Sequence, residues 1–149
     1  MNFLLIPLLL FVSVPQSAHP PDAVVERLTK TGAFAFGPVG YAAIISPGEK
    51  DYRTVFNRSS ALEDFEKLYS TGNLQAKCYA LVGIHMLNPA RFKELAQPLR
   101  DSKETVNTMT GCILSREAFG DVIKQIESGR FSQTNLTTKY VRYSYPRVP

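Results

Sequence analysis

Two residues in this sequence have the types and the spacing that covalent chemistry needs, Cys78 and His85. They lie seven residues apart, which is two turns along one face of a helix. A thiol beside an imidazole can act as nucleophile and base, so one candidate function is a small cysteine-dependent hydrolase. The sequence identifies neither a third residue to orient the histidine nor an oxyanion site. A histidine packed in a helix core is therefore the stronger interpretation, and no catalytic residue is predicted.

Metal and phosphate sites are not predicted either. Zinc needs four closely spaced ligands, whereas this chain has two cysteines, two histidines and no Cys-x-x-Cys pair. The glycines around Pro38 lack the Gly-Lys-Ser/Thr ending of a phosphate loop, and proline removes one of the amides that would bind an anion. We therefore predict no metal and no cofactor.

The elements that would position Cys78 and His85 form a predicted helical hairpin. The segment Leu74 to Leu87 is apolar on almost every side, which indicates a helix buried on most of its surface. Asn88 and Pro89 then provide a helix start, and the arm that follows is amphipathic up to Pro98. This hairpin is predicted to be the centre of the fold.

The rest of the chain is predicted to add short helices around that centre. The first of these helices starts at Asp22 and stops at Gly32, and the last starts at Ser115 and stops at Gly129. Between them, one helix starts with a capping box from Ser46 to Glu49, and another starts with a capping box from Ser60 to Glu63 and stops at Gly72. The segment Ala33–Ile45 is predicted to be irregular or partly extended, and Asp101 to Leu114 to be a polar loop that returns to the core near Cys112. The predicted fold class is all-α, a compact array of short antiparallel helix pairs.

A disulfide between Cys78 and Cys112 is predicted from the even cysteine count, the apolar setting of both residues and the predicted export of the chain. It would attach the return segment and the last helix to the hairpin. In the chain-entropy model, such a loop stabilises a fold by about 3 to 4 kcal/mol. The alternative is two buried free thiols.

Export is predicted from the apolar N-terminus, in which residues 1–18 are interpreted as a signal peptide with cleavage near Ala18. An uncleaved membrane anchor is the alternative, although the apolar run is short for a bilayer. Residues 19–129 are then a single helical domain, in a secreted or periplasmic protein without stable membrane insertion after signal removal. Asn57 and Asn135 are acceptors for glycosylation only in a host that glycosylates.

The net charge of +4 lies entirely in a C-terminal tail, residues 130–149. Residues 19–129 hold 13 basic and 13 acidic side chains, so the excess of 17 over 13 falls in the tail. There basic side chains alternate with tyrosines, and the candidate binding residues are Lys139, Tyr140, Arg142, Tyr143, Tyr145 and Arg147. Export argues against nucleic acid, so the tail is predicted to pack on the body or to contact a partner, in preference to binding an anion.

Helix alternation from Ser46 to Gly129 faintly resembles a short stack of HEAT-like repeats, without a repeated signature. The segment Leu74 to Leu87, Phe92 and the run from Thr108 to Cys112 together resemble a group of small exported proteins of unassigned activity. That resemblance implies an architecture and no function. The predicted function is an exported, non-enzymatic interaction protein with a protein partner. Its alternatives are the Cys78/His85 hydrolase and a periplasmic immunity or inhibitor protein.

Overall fold

The computed structural model describes residues 22–132, and within them the fold is mixed α/β. The prediction of an all-α, HEAT-like array is therefore wrong. The elements in chain order are α1 (Ala23–Thr29), β1 (Phe34–Val39), β2 (Ile44–Ile45), α2 (Pro47–Phe56), α3 (Ala61–Thr71), α4 (Leu74–Leu87), α5 (Pro89–Ala96), a 3-10 helix (Gln97–Leu99), β3 (Thr105–Gly111), β4 (Ile113–Ala118) and α6 (Phe119–Glu127).

The predicted central hairpin is confirmed, because local signals specify both of its helices. Helix α4 has the predicted bounds, and Asn73 caps it by accepting a hydrogen bond from the Ala76 amide at 2.9 Å. Asn88 caps α5 through the Arg91 amide, with proline at the first helical position. At the N-terminus of α1, the carboxylate of Asp22 accepts from the amides of the first turn, as its type predicts.

The four strands form one sheet in the order β2-β1-β3-β4. Strands β1 and β3 run parallel, and the two outer pairs are antiparallel. The irregular segment Ala33–Ile45 is thus β1, β2 and the turn between them. The predicted polar loop contains β3, and Ser115 lies within β4 instead of starting a helix, because α6 begins at Phe119.

Strands β1 and β3 were missed because the alternation of buried and exposed residues is weak in their sequences. In β3 the buried residues Val106 and Thr108 alternate with half-exposed Asn107 and Met109, but threonine and asparagine conceal this period of two in a hydropathy pattern. In β1 the pairing register shifts between Ala35 and Val39, where Gly37 has a φ of 93°. Such a bulge interrupts the regular alternation of a strand.

Helix α4 is the centre of the core, as predicted, but it packs against a sheet as well as against helices. It contacts α3, α5 and α6, and it also contacts β1 and β3. The Tyr79 ring meets Phe34 of β1 edge-on, with ring centroids 5.0 Å apart. At Gly83 the ring of Phe65 from α3 lies so close that a Cβ atom would overlap it. The absence of a side chain at Gly83 therefore sets the distance between α3 and α4.

The beginning of the predicted tail belongs to this core. The ring of Phe131 contacts Phe34 and Phe36 of β1, with centroids 5.0 and 5.5 Å apart. The tail candidates Lys139, Tyr140, Arg142, Tyr143, Tyr145 and Arg147 lie outside the described residues, as do the predicted signal peptide and Asn135.

The predicted Cys78–Cys112 disulfide is wrong. Both cysteines are free thiols, Cys78 buried within α4 and Cys112 exposed. The segment that carries Cys112 does not return to the core. It is the turn of the β3–β4 hairpin, which lies at the end of the sheet, so the two thiols are not brought together.

Candidate functional site

The two residues that could have formed a nucleophile and base do not form a catalytic pair. Cys78 has no exposed surface, and burial raises the pKa of its thiol well above the usual value, with a smaller contribution from the charge of Glu117. A thiolate, the reactive form, is therefore disfavoured. His85 packs edge-on against the ring of Phe92, with centroids 4.6 Å apart, and burial lowers its pKa. Within residues 22–132 no hydrogen bond links this histidine to Cys78.

Between residues 22 and 132, no group of three or more His, Cys, Asp and Glu side chains is placed to hold a metal ion. In the same range no helix is both long and apolar enough to cross a membrane.

The two hairpin turns of the sheet lie at the same end of it. The β1–β2 turn and the β3–β4 turn lie side by side there, because β1 and β3 are parallel and both strands end at that side. A hydrogen bond from the amide of Gly40 to the carbonyl of Gly111, 2.9 Å long, joins the two turns. Both glycines have positive φ, 71° and 58°, which a residue with a side chain would adopt with strain.

This end of the sheet exposes large apolar side chains. Of the five large hydrophobic residues that are exposed in residues 22–132, four lie here: Tyr41, Ile44, Ile113 and Leu114. Ile113 and Leu114 are 68% and 66% exposed at the start of β4, and Cys112 beside them is exposed as well. Clustered exposed apolar surface is typical of an interaction site.

The same region carries no charge. Neither residues 31–48 nor residues 105–115 contain an Asp, Glu, Lys or Arg. Natural sheets usually protect edge strands with charged side chains, which disfavour pairing with another chain. The first charged residue of β4 is Arg116, so the N-terminal half of this strand lacks that protection.

β4 is an edge strand of the described sheet, with β3 on one side of it. Within the part of the chain that the structure describes, no strand pairs with its other side. Its position is fixed from the inner side, where the carboxylate of Glu117 accepts from the Thr108 hydroxyl at 2.6 Å and from the Gln125 amide at 2.7 Å. β4 is thus a rigidly held edge strand with an unprotected apolar half.

The opposite side of the sheet shows how an edge is closed in this fold. The outer backbone groups of β1 are bound by helix side chains where β2 does not reach. The Tyr79 hydroxyl donates to the Ala35 carbonyl at 2.8 Å and accepts from the Ala35 amide at 3.0 Å. The Glu49 carboxylate, which is fully buried, accepts from the Gly37 amide at 2.8 Å. Along Ala35 and Gly37, β1 is therefore unable to take up another strand, and the edge strand beyond it, β2, is only two residues long.

No family model, curated protein or solved structure matches this chain. The description of the site therefore rests on the geometry of this chain alone.

A cavity of about 410 Å³ between α1, the start of α2 and β1 is the other candidate site. Its apolar lining includes Leu28, Ala35 and Val39. The ion pair between Arg27 and Asp51, 2.6 Å long, lies at the same cavity. Since these charged groups are engaged with each other, they are not available to orient a charged ligand, and we place the candidate functional site at the start of β4.

The sequence interpretation missed this site although it singled out one of its members. The segment Asp101 to Leu114 is predicted to return to the core near Cys112, whereas in the structure Cys112 and Leu114 are exposed. The available signal was the pair of turn-forming glycines, Gly40 and Gly111, each followed by apolar residues without charge. Two uncharged turns of this kind indicate hairpins with exposed tips.

Proposed function

We propose that this chain is an exported, non-enzymatic binding protein that uses the outer edge of β4 to take up an extended strand from a protein partner. The observation that carries this proposal is the contrast between the sheet edges. On one side, helix side chains bind the part of β1 that the two-residue edge strand β2 leaves uncovered, whereas within residues 22–132 no strand pairs with the outer edge of β4, which begins with exposed Ile113 and Leu114. In strand addition, backbone hydrogen bonds supply affinity and alternate side chains supply specificity.

The apolar half of β4 fits a partner strand that is itself apolar. Ile113 and Leu114 point to opposite faces of the sheet, because side chains alternate along a strand. A partner strand would therefore gain contacts on both faces. Export is a further part of the proposal and is supported by the apolar N-terminal segment.

The hydrolase alternative has less support. It requires an accessible thiolate at Cys78, and that residue is buried with a raised pKa. An immunity or inhibitor protein remains a special case of the binding proposal, because such proteins act by occupying a partner. It would use the same edge of β4.

Photo-crosslinking from Cys112 tests the proposal, since this thiol is exposed beside the apolar half of β4. The full chain is labelled there with a maleimide–benzophenone reagent, exposed to the exported protein fraction and illuminated. We expect a discrete set of protein adducts that map to the label. The double substitution Ile113→Thr with Leu114→Thr should reduce these adducts at least about tenfold, because it removes apolar contacts worth roughly 1.5 kcal/mol or more.

Leu87→Gln is the matched control, because Leu87 is the fifth exposed large hydrophobic residue and lies at the end of α4. This variant should retain the adducts. Equal adducts from the wild type and the β4 double variant would contradict the proposed function.

A further inference from the structure

We propose that the strand taken up by β4 is β4 of a second copy, paired antiparallel about a two-fold axis at Leu114. This inference rests on the proposed function, since it names the partner of the same strand edge. Two four-stranded sheets would join into one continuous sheet of eight strands. Symmetric dimers of this isologous kind are the commonest oligomers.

Charge favours a second copy as the partner. A strand that pairs with itself must avoid placing like charges opposite each other, because such pairs are destabilising. The run from residue 105 to residue 115 carries no charge, so the apolar half of β4 does not repel an identical strand. The segment 19–129 is also balanced, with 13 basic and 13 acidic residues, so net repulsion between two copies comes from the +4 of residues 130–149 and not from this segment.

The same rule selects the register. Antiparallel pairing about an axis at Leu114 places the two Leu114 side chains opposite each other on one face of the sheet. The two Ile113 side chains then lie diagonally across the axis on the other face, within reach of each other. An axis at Arg116 would instead oppose two guanidinium groups. The apolar register is therefore preferred, and Arg116 of one copy faces the uncharged turn residue Cys112 of the other.

Within residues 22–132 the sheet has two edge strands, and β4, with six residues, offers a longer edge for this pairing than β2, with two. On the β1 side, Tyr79 and Glu49 already bind the outer backbone groups. β4 has six residues, and its Glu117 carboxylate accepts a hydrogen bond from Thr108 of β3. This bond helps to hold the strand in place, with its outer backbone groups directed away from β3. Five paired residues with two apolar side chains form a small interface, below about 1,000 Å², and such interfaces are weak and reversible. We therefore expect a concentration-dependent dimer.

Sedimentation of the full chain is the first test. The wild type should pass from monomer to dimer as its concentration rises from roughly 1 μM to 1 mM. Leu114→Arg places two like charges at the axis and should remain monomeric throughout that range. Circular dichroism and the melting temperature establish that this variant folds. Leu87→Gln should dimerise like the wild type.

Disulfide trapping tests the register and accumulates even a weak dimer as a covalent product. In a Cys112→Ser background, Leu114→Cys places two thiols directly opposite each other, with their Cα atoms about 5.5 Å apart, a separation that a disulfide can bridge. Copper phenanthroline should oxidise them to a covalent dimer, in which the two thiols release two protons to solvent and pass one electron to each of two Cu(II) ions as the S–S bond forms. Arg116→Cys in the same background places its two thiols about 13 Å apart along the strand and should give little dimer.

The outcomes separate this inference from the proposed function. A wild type that stays monomeric at every concentration, with no trapped Leu114→Cys dimer, overturns pairing with a second copy. If the β4 double variant still loses its photo-adducts with a different protein, the proposed function stands and its partner is not a second copy. Equal trapping through Arg116→Cys overturns the register at Leu114.

Discussion

Helix α4 and the β3–β4 hairpin are both apolar segments, and the fold uses them in opposite ways. In α4 the run from Cys78 to Ile84 is buried, and none of its side chains is more than 1% exposed. In the hairpin, Ile113 and Leu114 expose about two thirds of their surface. Apolar composition alone therefore does not separate residues that stabilise the fold from residues that are available to a partner. The neighbouring elements decide this, since α4 is surrounded and β4 is an edge.

The largest expected effect is at the tightest contact of α4. Gly83→Ala introduces a Cβ atom that overlaps the Phe65 ring, so α3 and α4 must separate or the ring must move. We expect the free energy of unfolding to fall by about 3 kcal/mol, at the upper end for overpacked cores. Urea unfolding measures it. Gly32→Ala is the control, because no atom lies within 4 Å of its added Cβ, and an equal loss there would contradict the packing explanation.

Ionisation of the Tyr79 phenol should lower the free energy of unfolding at alkaline pH. Burial is the largest cause of the rise in the pKa of its phenol to about 12, from an ordinary value of 10.0. The native state then holds this proton more tightly than the unfolded state, so the stabilisation is complete below pH 10 and is lost as the pH rises to 12. Two pKa units correspond to about 2.7 kcal/mol at most.

Comparison with Tyr79→Phe isolates this loss, because all other groups titrate in both proteins. The stability difference between the two chains should shrink between pH 10 and 12 in chemical unfolding. A difference that stays constant across this range would contradict a buried, protonated phenol.

At neutral pH the same substitution tests the closed edge of the sheet. Tyr79→Phe removes the hydroxyl that bonds the amide and the carbonyl of Ala35, and both groups are buried. We expect a loss of about 2 kcal/mol, typical of buried backbone groups left without a partner. Tyr41→Phe is the control on an exposed tyrosine and should change stability by less than about 0.5 kcal/mol. Equal effects would mean that the Tyr79 hydroxyl does not close the edge.

These two regions also differ in how well the sequence predicts them. The bounds of α4 follow from local signals, namely the Asn73 cap, the apolar run and Pro89 after it, so this helix could be predicted. The sheet could not, because β1 and β3 are joined through pairs such as Phe34 with Thr108, which are far apart in the chain. Pairing of that kind leaves no local pattern, and Gly37 and Thr108 concealed the alternation that was present.

The candidate site was missed for a related reason. The sequence shows that Cys112, Ile113 and Leu114 are apolar, but exposure depends on the position of their strand in the sheet. An edge position can be assigned only when the strand order is known. The predicted disulfide failed at the same step, since it assumed that an apolar segment must return to the core.

The cysteines give a sharp contrast between the two regions. In the folded protein, Cys112 should react rapidly with a maleimide and Cys78 only after unfolding, because one thiol is exposed and the other is buried with a raised pKa. Reduction should leave the melting temperature unchanged. Mass spectrometry before and after denaturation counts the labelled thiols. Rapid labelling of Cys78 in the native state would revive the hydrolase alternative and contradict the buried position of this residue.

The smallest expected effect is on the stability of the hairpin itself. Ile113→Thr with Leu114→Thr should change the free energy of unfolding by less than about 0.5 kcal/mol, because exposed side chains gain little from folding and threonine suits a strand. The same type of substitution at Val106, which is fully buried on the adjacent strand, should destabilise by about 1 to 3 kcal/mol through its buried hydroxyl. Urea unfolding of the two variants at low protein concentration measures both changes without a contribution from association. A loss above about 1 kcal/mol in the β4 variant would show that Ile113 and Leu114 are covered in the folded monomer. In that case β4 is part of the core, and neither strand addition nor pairing with a second copy can use it.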